Sequence, residues 1–285
     1  MIRNNSFIKK NINYNYNDAI KNNIIDPISD YKICFFIVDE KLFYKQTQEY
    51  YYELLGAKIA KYLNITHTSY DLATINFKDK ITSGVIAQDY RKDGYKIISF
   101  NDIINDYKKV LKKENYPKND MNLDFIVEAL FYHLRNYDNK KNIFNILINE
   151  LSNYLLLDLL IGNYDNGKFN YELMENNIDV KLSPYSDFGL TFDYTKTTRF
   201  TINDSDDYSF YSNINTVLNN DFLKNKFIKM YEFLTLEKLE ELFIEIEKDI
   251  DSKLPNNFKN TIYLSYGRHR NKINVLLEDI SKKSR

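Results

Sequence analysis

Residues 159–174 read "LLIGNYDNGKFNYELM", and residues 182–192 read "LSPYSDFGLTF". In the first stretch an apolar segment ends at Gly162, breaks into a polar loop holding Asp165 and Asn170, and resumes as a strand-like apolar run. In the second, another aspartate, Asp187, stands directly before Phe188-Gly189. Phosphoryl transfer needs little covalent help from protein: the charge of the triphosphate must be neutralised, Mg²⁺ held, and an acceptor hydroxyl oriented. Mg²⁺ prefers hard oxygen donors, so an Asn amide and an Asp carboxylate suit it and neither His nor Cys is required. Asn170 and Asp187 are therefore the candidate metal ligands. Asp165, five residues before Asn170 on the same loop, is the candidate catalytic residue that orients the acceptor and takes its proton. An Asp-x4-Asn spacing carries little weight alone in so Asn-rich a chain, where a plain surface loop is the simple alternative.

Such a site also needs a lysine to grip phosphate oxygens. Upstream, "YKICFFIV" at 31–38 reads as a buried strand and "KLFYKQ" at 41–46 as its partner, with Asp39-Glu40 as the hairpin turn and Lys41, Phe43 and Lys45 on one face. "QEYYYELLGAKIAKYLNI" then has helical spacing, with Tyr50, Leu54, Ala57 and Ala60 on one stripe and Glu53 at its edge. A carboxylate turned toward apolar surface needs a partner, and Lys45 is the candidate. "YDLATINF" and "ITSGVIAQDY" complete a sheet-rich region ending near residue 99. From residue 101 apolar residues recur at helical steps in "NDIINDYKKVLKK", "DFIVEALFYHLRNY" and "NIFNILINELSNYLLLDLLIG". Helices return in "FLKNKFIKMYEF" and, behind a Thr235 cap, in "LEKLEELFIEIEKDI".

The bulk composition permits this. With 285 residues and 44% hydrophobic content the chain can bury a sizeable core. Lys+Arg at 39 against Asp+Glu at 40 leaves a formal charge of -1, so no global field favours nucleic acid or an anionic membrane, and any anion site is local. The single cysteine, Cys34, excludes an internal disulfide and a Cys-based zinc cluster, and its apolar surroundings predict a buried structural thiol. The residues at the N-terminus contain no apolar signal core, and "YLLLDLLIG" is too short to span a bilayer, so a soluble, cytoplasmic protein is expected.

The ordered set "LFYKQT", "YELLGAKIAKYLNI", "LIGNYDNGKFN" and "LSPYSDFG" resembles the HipA-like and CtkA-like family of bacterial serine/threonine kinases. There a strand Lys is followed by a helix Glu, then by "GN-x-D-x-H-x-x-N" and a later "P-x-Y-D". The resemblance implies Lys45 as the ATP-phosphate lysine, Glu53 as its partner, Asp165 as the catalytic aspartate, and Asn170 with Asp187 as ligands of Mg²⁺. Two departures stand out: Gly167 occupies the place of the motif His, and no glycine precedes Gly56, where family members carry a Gly-bearing phosphate loop. Ser29, in "DPISDYK", falls where these kinases autophosphorylate; an ordinary turn serine beside Pro27 is the plainer reading. In "QDYRKDG" at 88–94, the backbone near Gln88 and Tyr90 is the candidate adenine contact of an inter-lobe hinge, with a simple β-turn as its alternative.

The expectation is thus an α+β, two-lobed protein-kinase-like fold, with a small strand-rich N-lobe over 1–99 and a larger helical C-lobe over 100–285. Its activity would be transfer of the ATP γ-phosphate to a Ser or Thr hydroxyl of a protein substrate. The resemblance further implies a toxin or effector kinase of a bacterium, with an antitoxin as partner and delivery into a host cell left open. A small-molecule phosphotransferase of the aminoglycoside-kinase type shares the catalytic logic, and a non-catalytic pseudokinase would account for the missing Gly-rich loop. His67, His133 and His269 are scattered without metal-ligand spacing, and "RHR" at 268–270 reads as a solvated helix face.

Overall fold

A computed structural model describes residues 10–13, 21, 25–27, 34–38, 41–47, 49–77, 80–91, 94–112, 123–163, 171–192 and 220–283. The chain forms two compact units, each assembled from separated stretches of sequence: 1–90 with 188–191 and 235–261, and 91–187 with 192–234 and 262–285.

The first unit is built on a six-stranded sheet. Its strands are β1 (Lys10–Asn13), β2 (Ile25–Pro27), β3 (Cys34–Ile37), β4 (Leu42–Gln46), β5 (Tyr70–Phe77) and β6 (Lys80–Gln88), in the order β1-β5-β6-β4-β3-β2. All neighbours are antiparallel except β1 and β5, which run parallel. Aromatic and β-branched residues suit this pleated surface: Phe35, Ile37, Tyr44 and Val85 are almost wholly buried. Register places Lys45 between Cys34 and Val85 at the middle of the sheet. Cys34 departs from the sequence expectation. The first residue of β3, it is only half-buried.

Helix α1 (Tyr50–Tyr62) follows β4 and buries Glu53, Leu54, Leu55, Gly56, Ala57, Ile59 and Ala60. In the second unit, β7 (Lys96–Ser99), β8 (Glu172–Glu175) and β9 (Val180–Leu182) form an antiparallel sheet in that order. Ser99 caps α2 (Phe100–Val110) by accepting from Asp102 N at 3.1 Å. Helix α3 (Leu123–His133) runs into a short 3₁₀ turn, Leu134–Asn136, before α4 (Lys140–Ile161). By length and composition α4 could cross a bilayer, but half of its apolar window is buried inside the protein, and Leu147, Leu151, Leu156, Leu157 and Ile161 belong to the core. It is read as a core helix.

Helices α5 (Asp221–Phe233), α6 (Leu236–Asp249) and α7 (Asn256–Lys283) complete the described chain. The Thr235 cap is present, its hydroxyl accepting from Lys238 N at 3.2 Å. The "RHR" triplet on α7 is not a solvated face, since only Arg268 is exposed. Arg270 donates to the carbonyls of Leu234 and Tyr231 at 2.7 and 3.2 Å and lies over the Tyr231 ring. These bonds satisfy carbonyls left open where α5 ends. His269 is buried, with Nε2 2.7 Å from the carbonyl oxygen of Leu159. A carbonyl can only accept, so Nε2 carries the proton.

Burial pushes the His269 pKa down to about 4. The folded protein thus keeps His269 neutral where the unfolded chain, titrating near ~6.5, binds a proton. Stability from this group is complete above the unfolded value and is lost as pH falls from there toward 4. Urea unfolding across this window should show a loss that shrinks by about 3 kcal/mol in His269→Asn. An unchanged slope in the variant would refute the assignment.

Candidate active site

Lys45 leaves the centre of the first unit's sheet on β4, and the loop after Gln46 turns the chain directly into α1. Glu53 lies at the end of the first turn of that helix, on the side facing the sheet. Its Oε1 lies 2.5 Å from Lys45 Nζ, and its Oε2 accepts the backbone N–H of Phe188 at 2.7 Å. The Glu53 side chain has no exposure and that of Lys45 has 10%. Water therefore does little for either charge, and the carboxylate is stabilised by the ammonium and the amide together.

Gly56, one turn beyond Glu53, makes the Phe188 contact possible. A Cβ there would sit 2.4 Å from Phe188 Cβ and 2.5 Å from Thr191 Oγ1, closer than any real contact. A side chain at position 56 would push away the segment that Glu53 holds. That segment is a tight turn: Thr191 N and Oγ1 both bond the Phe188 carbonyl, at 2.9 and 2.8 Å. The Tyr70 ring meets Phe188 edge-on.

In the second unit, the residues bracketing 164–170 in the chain share one buried carboxylate. Asp158, near the end of α4, is 2% exposed and accepts from the hydroxyls of Tyr171 and Tyr185. Asn163 N bonds the Asp158 carbonyl at 3.1 Å. The Asn163 amide reaches Tyr185 Oη at 2.8 Å, Asp158 Oδ1 at 3.3 Å and the Asp187 carbonyl at 2.9 Å. Gly162 closes α4 in the left-handed conformation at φ 65°. Burial, then the Asp158 charge, raise the Tyr171 pKa well above its ordinary value, so its hydroxyl remains a donor. Tyr154 is likewise raised by burial and donates to the Ser183 carbonyl at 3.0 Å. Asp187 is half-buried and also holds a left-handed φ of 64°, an uncommon conformation for a residue with a Cβ. The Asn163 bond to its carbonyl helps hold it there.

Sequence reasoning missed Asp158, Asn163, Tyr171 and Tyr185. A signal was present: Asp158 is the lone charge in "YLLLDLLIG", and a buried carboxylate must find donors. Of the predicted residues, the structure brings Lys45 and Glu53 together and ties the Asp187 backbone to Asn163. Gln88 is exposed and its amide donates to the Lys41 carbonyl at 2.7 Å, where the Asp89 N–H also bonds at 2.8 Å; Tyr90 is half-buried. Asp165, Asn170 and Ser29 lie outside the described residues. Asp187 supplies a hard oxygen suited to Mg²⁺. Among the described residues no three His, Cys, Asp or Glu side chains cluster as a metal site. A cavity of about 540 Å³ in the second unit, lined by His133, Arg135, Tyr137 and Glu175 among others, contains none of the motif residues.

One unit built on a mixed sheet and one that is mostly helical make an α+β architecture, with a buried Lys–Glu pair bonded to the Phe188 amide of the Asp-Phe-Gly segment. The chain is similar to the crystal structure of the Helicobacter pylori proinflammatory kinase CtkA, with a TM-score of 0.62 and 15% identity over 97% of this chain and 100% of that one. A second solved structure, the HipA toxin–antitoxin complex with HipB and operator DNA from Shewanella oneidensis MR-1, aligns with a TM-score of 0.42 and 12% identity, over 80% of this chain and 56% of that one. No family model and no curated protein sequence matches the chain. The HipA-like and CtkA-like resemblance of the motifs thus has a counterpart in a fold similar to CtkA along nearly the whole chain.

Removing one member of the buried pair should cost more than removing both. Lys45→Met leaves the Glu53 charge without its ammonium and should lower unfolding stability by about 3 kcal/mol. Adding Glu53→Leu should recover at least about 1 kcal/mol of that loss. Guanidinium unfolding of both single variants and the double variant gives the coupling; strict additivity would show that the pair is not stabilising in the folded protein.

Proposed function

We propose that the chain is an ATP- and Mg²⁺-dependent kinase that phosphorylates Ser or Thr hydroxyls of a protein substrate. The observation that carries this reading is the Lys45–Glu53–Phe188 chain of bonds, because it fixes a buried ammonium and holds the amide immediately after Asp187. An ion pair serving packing alone has no need for a metal-suited carboxylate next to the amide it binds.

In this reading Lys45 neutralises phosphate charge, and Glu53 keeps its ammonium in one place. Asp187 and Asn170 hold Mg²⁺, which when bound offsets charge on the transferred phosphoryl group. Asp165 accepts the proton of the acceptor hydroxyl as its oxygen bonds to the γ-phosphorus and the bond to the ADP oxygen breaks. The Asp158 cluster serves indirectly, anchoring Asn163 and Tyr171, the residues that bracket Asp165 and Asn170 in sequence. The 88–94 stretch is the hinge, with adenine meeting the backbone near Gln88 and Tyr90. Ser29 is the candidate autophosphorylation site. The motif resemblance also supports a bacterial toxin or effector role with an antitoxin partner.

Incubation with Mg²⁺ and γ-labelled ATP, alone and with a cell lysate, tests the proposal. Label should appear on a protein Ser or Thr and fall by at least about 100-fold in Asp165→Asn and in Asp187→Asn, both with retained fold. Mapping the labelled residue tests Ser29. Nucleotide binding without transfer to any protein or small-molecule acceptor would refute the kinase and establish a pseudokinase.

A further inference from the structure

Helix α1 has a second face. At about 100° per residue, Tyr51, Lys58 and Tyr62 lie roughly 140–180° around the helix from Glu53. Gly56, Ala57 and Ala60 flank Glu53 and keep its side of the helix slim. Tyr51, Lys58 and Tyr62 each touch one later stretch of chain, 235–261, which belongs to the same compact unit. Lys58 Nζ bonds Asp249 Oδ2 and lies 3.7 Å from Glu245 Oε2. Lys238 Nζ sits 3.6 Å from the centroid of the Tyr62 ring. The ring of Phe258 is 5.4 Å from Tyr51 and 5.0 Å from Tyr52.

The stretch making these contacts is itself rigidly closed. Glu247, near the end of α6, accepts from Lys259 at 2.5 Å, from Lys253 at 2.9 Å and from Leu254 N at 3.1 Å. One buried carboxylate thus ties α6, the connecting turn and the first turn of α7 into a single hairpin. Phe243 and Phe258 pack across its inside. The Lys58 side chain is 18% exposed and that of Asp249 29%, so the pair is partly withdrawn from solvent.

We infer that segment 235–261 is an intrachain brace that presses α1 against the sheet from behind, making Lys58, Tyr62 and Asp249 positioning residues for the Glu53–Lys45 clamp. The brace rests on the proposed kinase reading for its purpose, though not for its existence. Glu53 is flanked by Gly56, Ala57 and Ala60, so the apolar contact beside the clamp itself comes from small side chains, and the buried Leu54, Leu55 and Ile59 lie further round the helix. The brace supplies aromatic and ionic contacts at both ends of the helix, Tyr51 and Tyr62, and near its middle, Lys58. The support for α1 therefore comes from within the same chain.

Hydrogen exchange of the full chain tests the brace without any need for activity. The Phe188 amide, which bonds Glu53, and the α1 amides of Leu54–Ala60 should exchange at least about tenfold faster in Lys58→Asp, while amides of the β7-β8-β9 sheet do not change. The double variant Lys58→Asp/Asp249→Lys should restore the original rates, and Lys58→Arg should retain them. Should Lys58→Asp fail to fold, Tyr62→Ala carries the same comparison. Unchanged Phe188 exchange, or no rescue by the charge swap, would overturn the inference. Phosphotransfer measured on the same proteins should fall and recover in parallel. Faster exchange with undiminished transfer would overturn the positioning role. An unaltered chain that transfers no phosphate yet shows the exchange pattern would remove the kinase proposal and leave the brace standing.

Discussion

A single carboxylate organises the first unit. Glu53 is wholly buried, and a charge in that position is tolerable only when both oxygens meet donors. Lys45 supplies one and the Phe188 amide the other. Around this requirement β4 must run beside β6, α1 must begin within a few residues of Gln46, and position 56 must lack a side chain. The sheet core of Phe35, Tyr44 and Val85 gives Lys45 a fixed origin. A lysine on a mobile strand could not hold an ammonium in place.

The second unit solves a similar problem with hydroxyls. Asp158 takes the hydrogens of two tyrosines and, through Asn163, reaches the Asp187 carbonyl. A buried polar network of this kind is stable only when its members are satisfied, and it then permits few alternative arrangements. Its members lie at the ends of elements: the last turn of α4, the residue before β8, and the segment after β9. Hydrogen bonds there fix the ends of these elements, while the apolar residues of α4 bury the helix in the core.

Much of this was readable from residue order. Helical and strand periods outlined the sheet-rich and helical regions, and Thr235 announced a cap. A carboxylate at the edge of the α1 stripe asked for a partner, which is Lys45. Other features were poorly legible. Cys34 in an apolar run reads as buried, yet it opens its strand and is half-exposed. Arg270 reads as solvated, yet its guanidinium serves carbonyls three dozen residues earlier in the chain. Asp158 carried a signal, but nothing local identifies Tyr171 and Tyr185 as its donors.

By itself the sequence determined local pattern and chemical need: which segments could be strands or helices, which charges required partners, and which oxygens suited Mg²⁺. Those follow from periodicities of a few residues and from the cost of desolvating a charge. Only the tertiary structure decided who answers each need over long separations. It chose Phe188 for Glu53 across 135 positions and the 235–261 hairpin for the back of α1. Such pairings depend on shape and packing in three dimensions, and a linear sequence records the surfaces that meet without recording that they do.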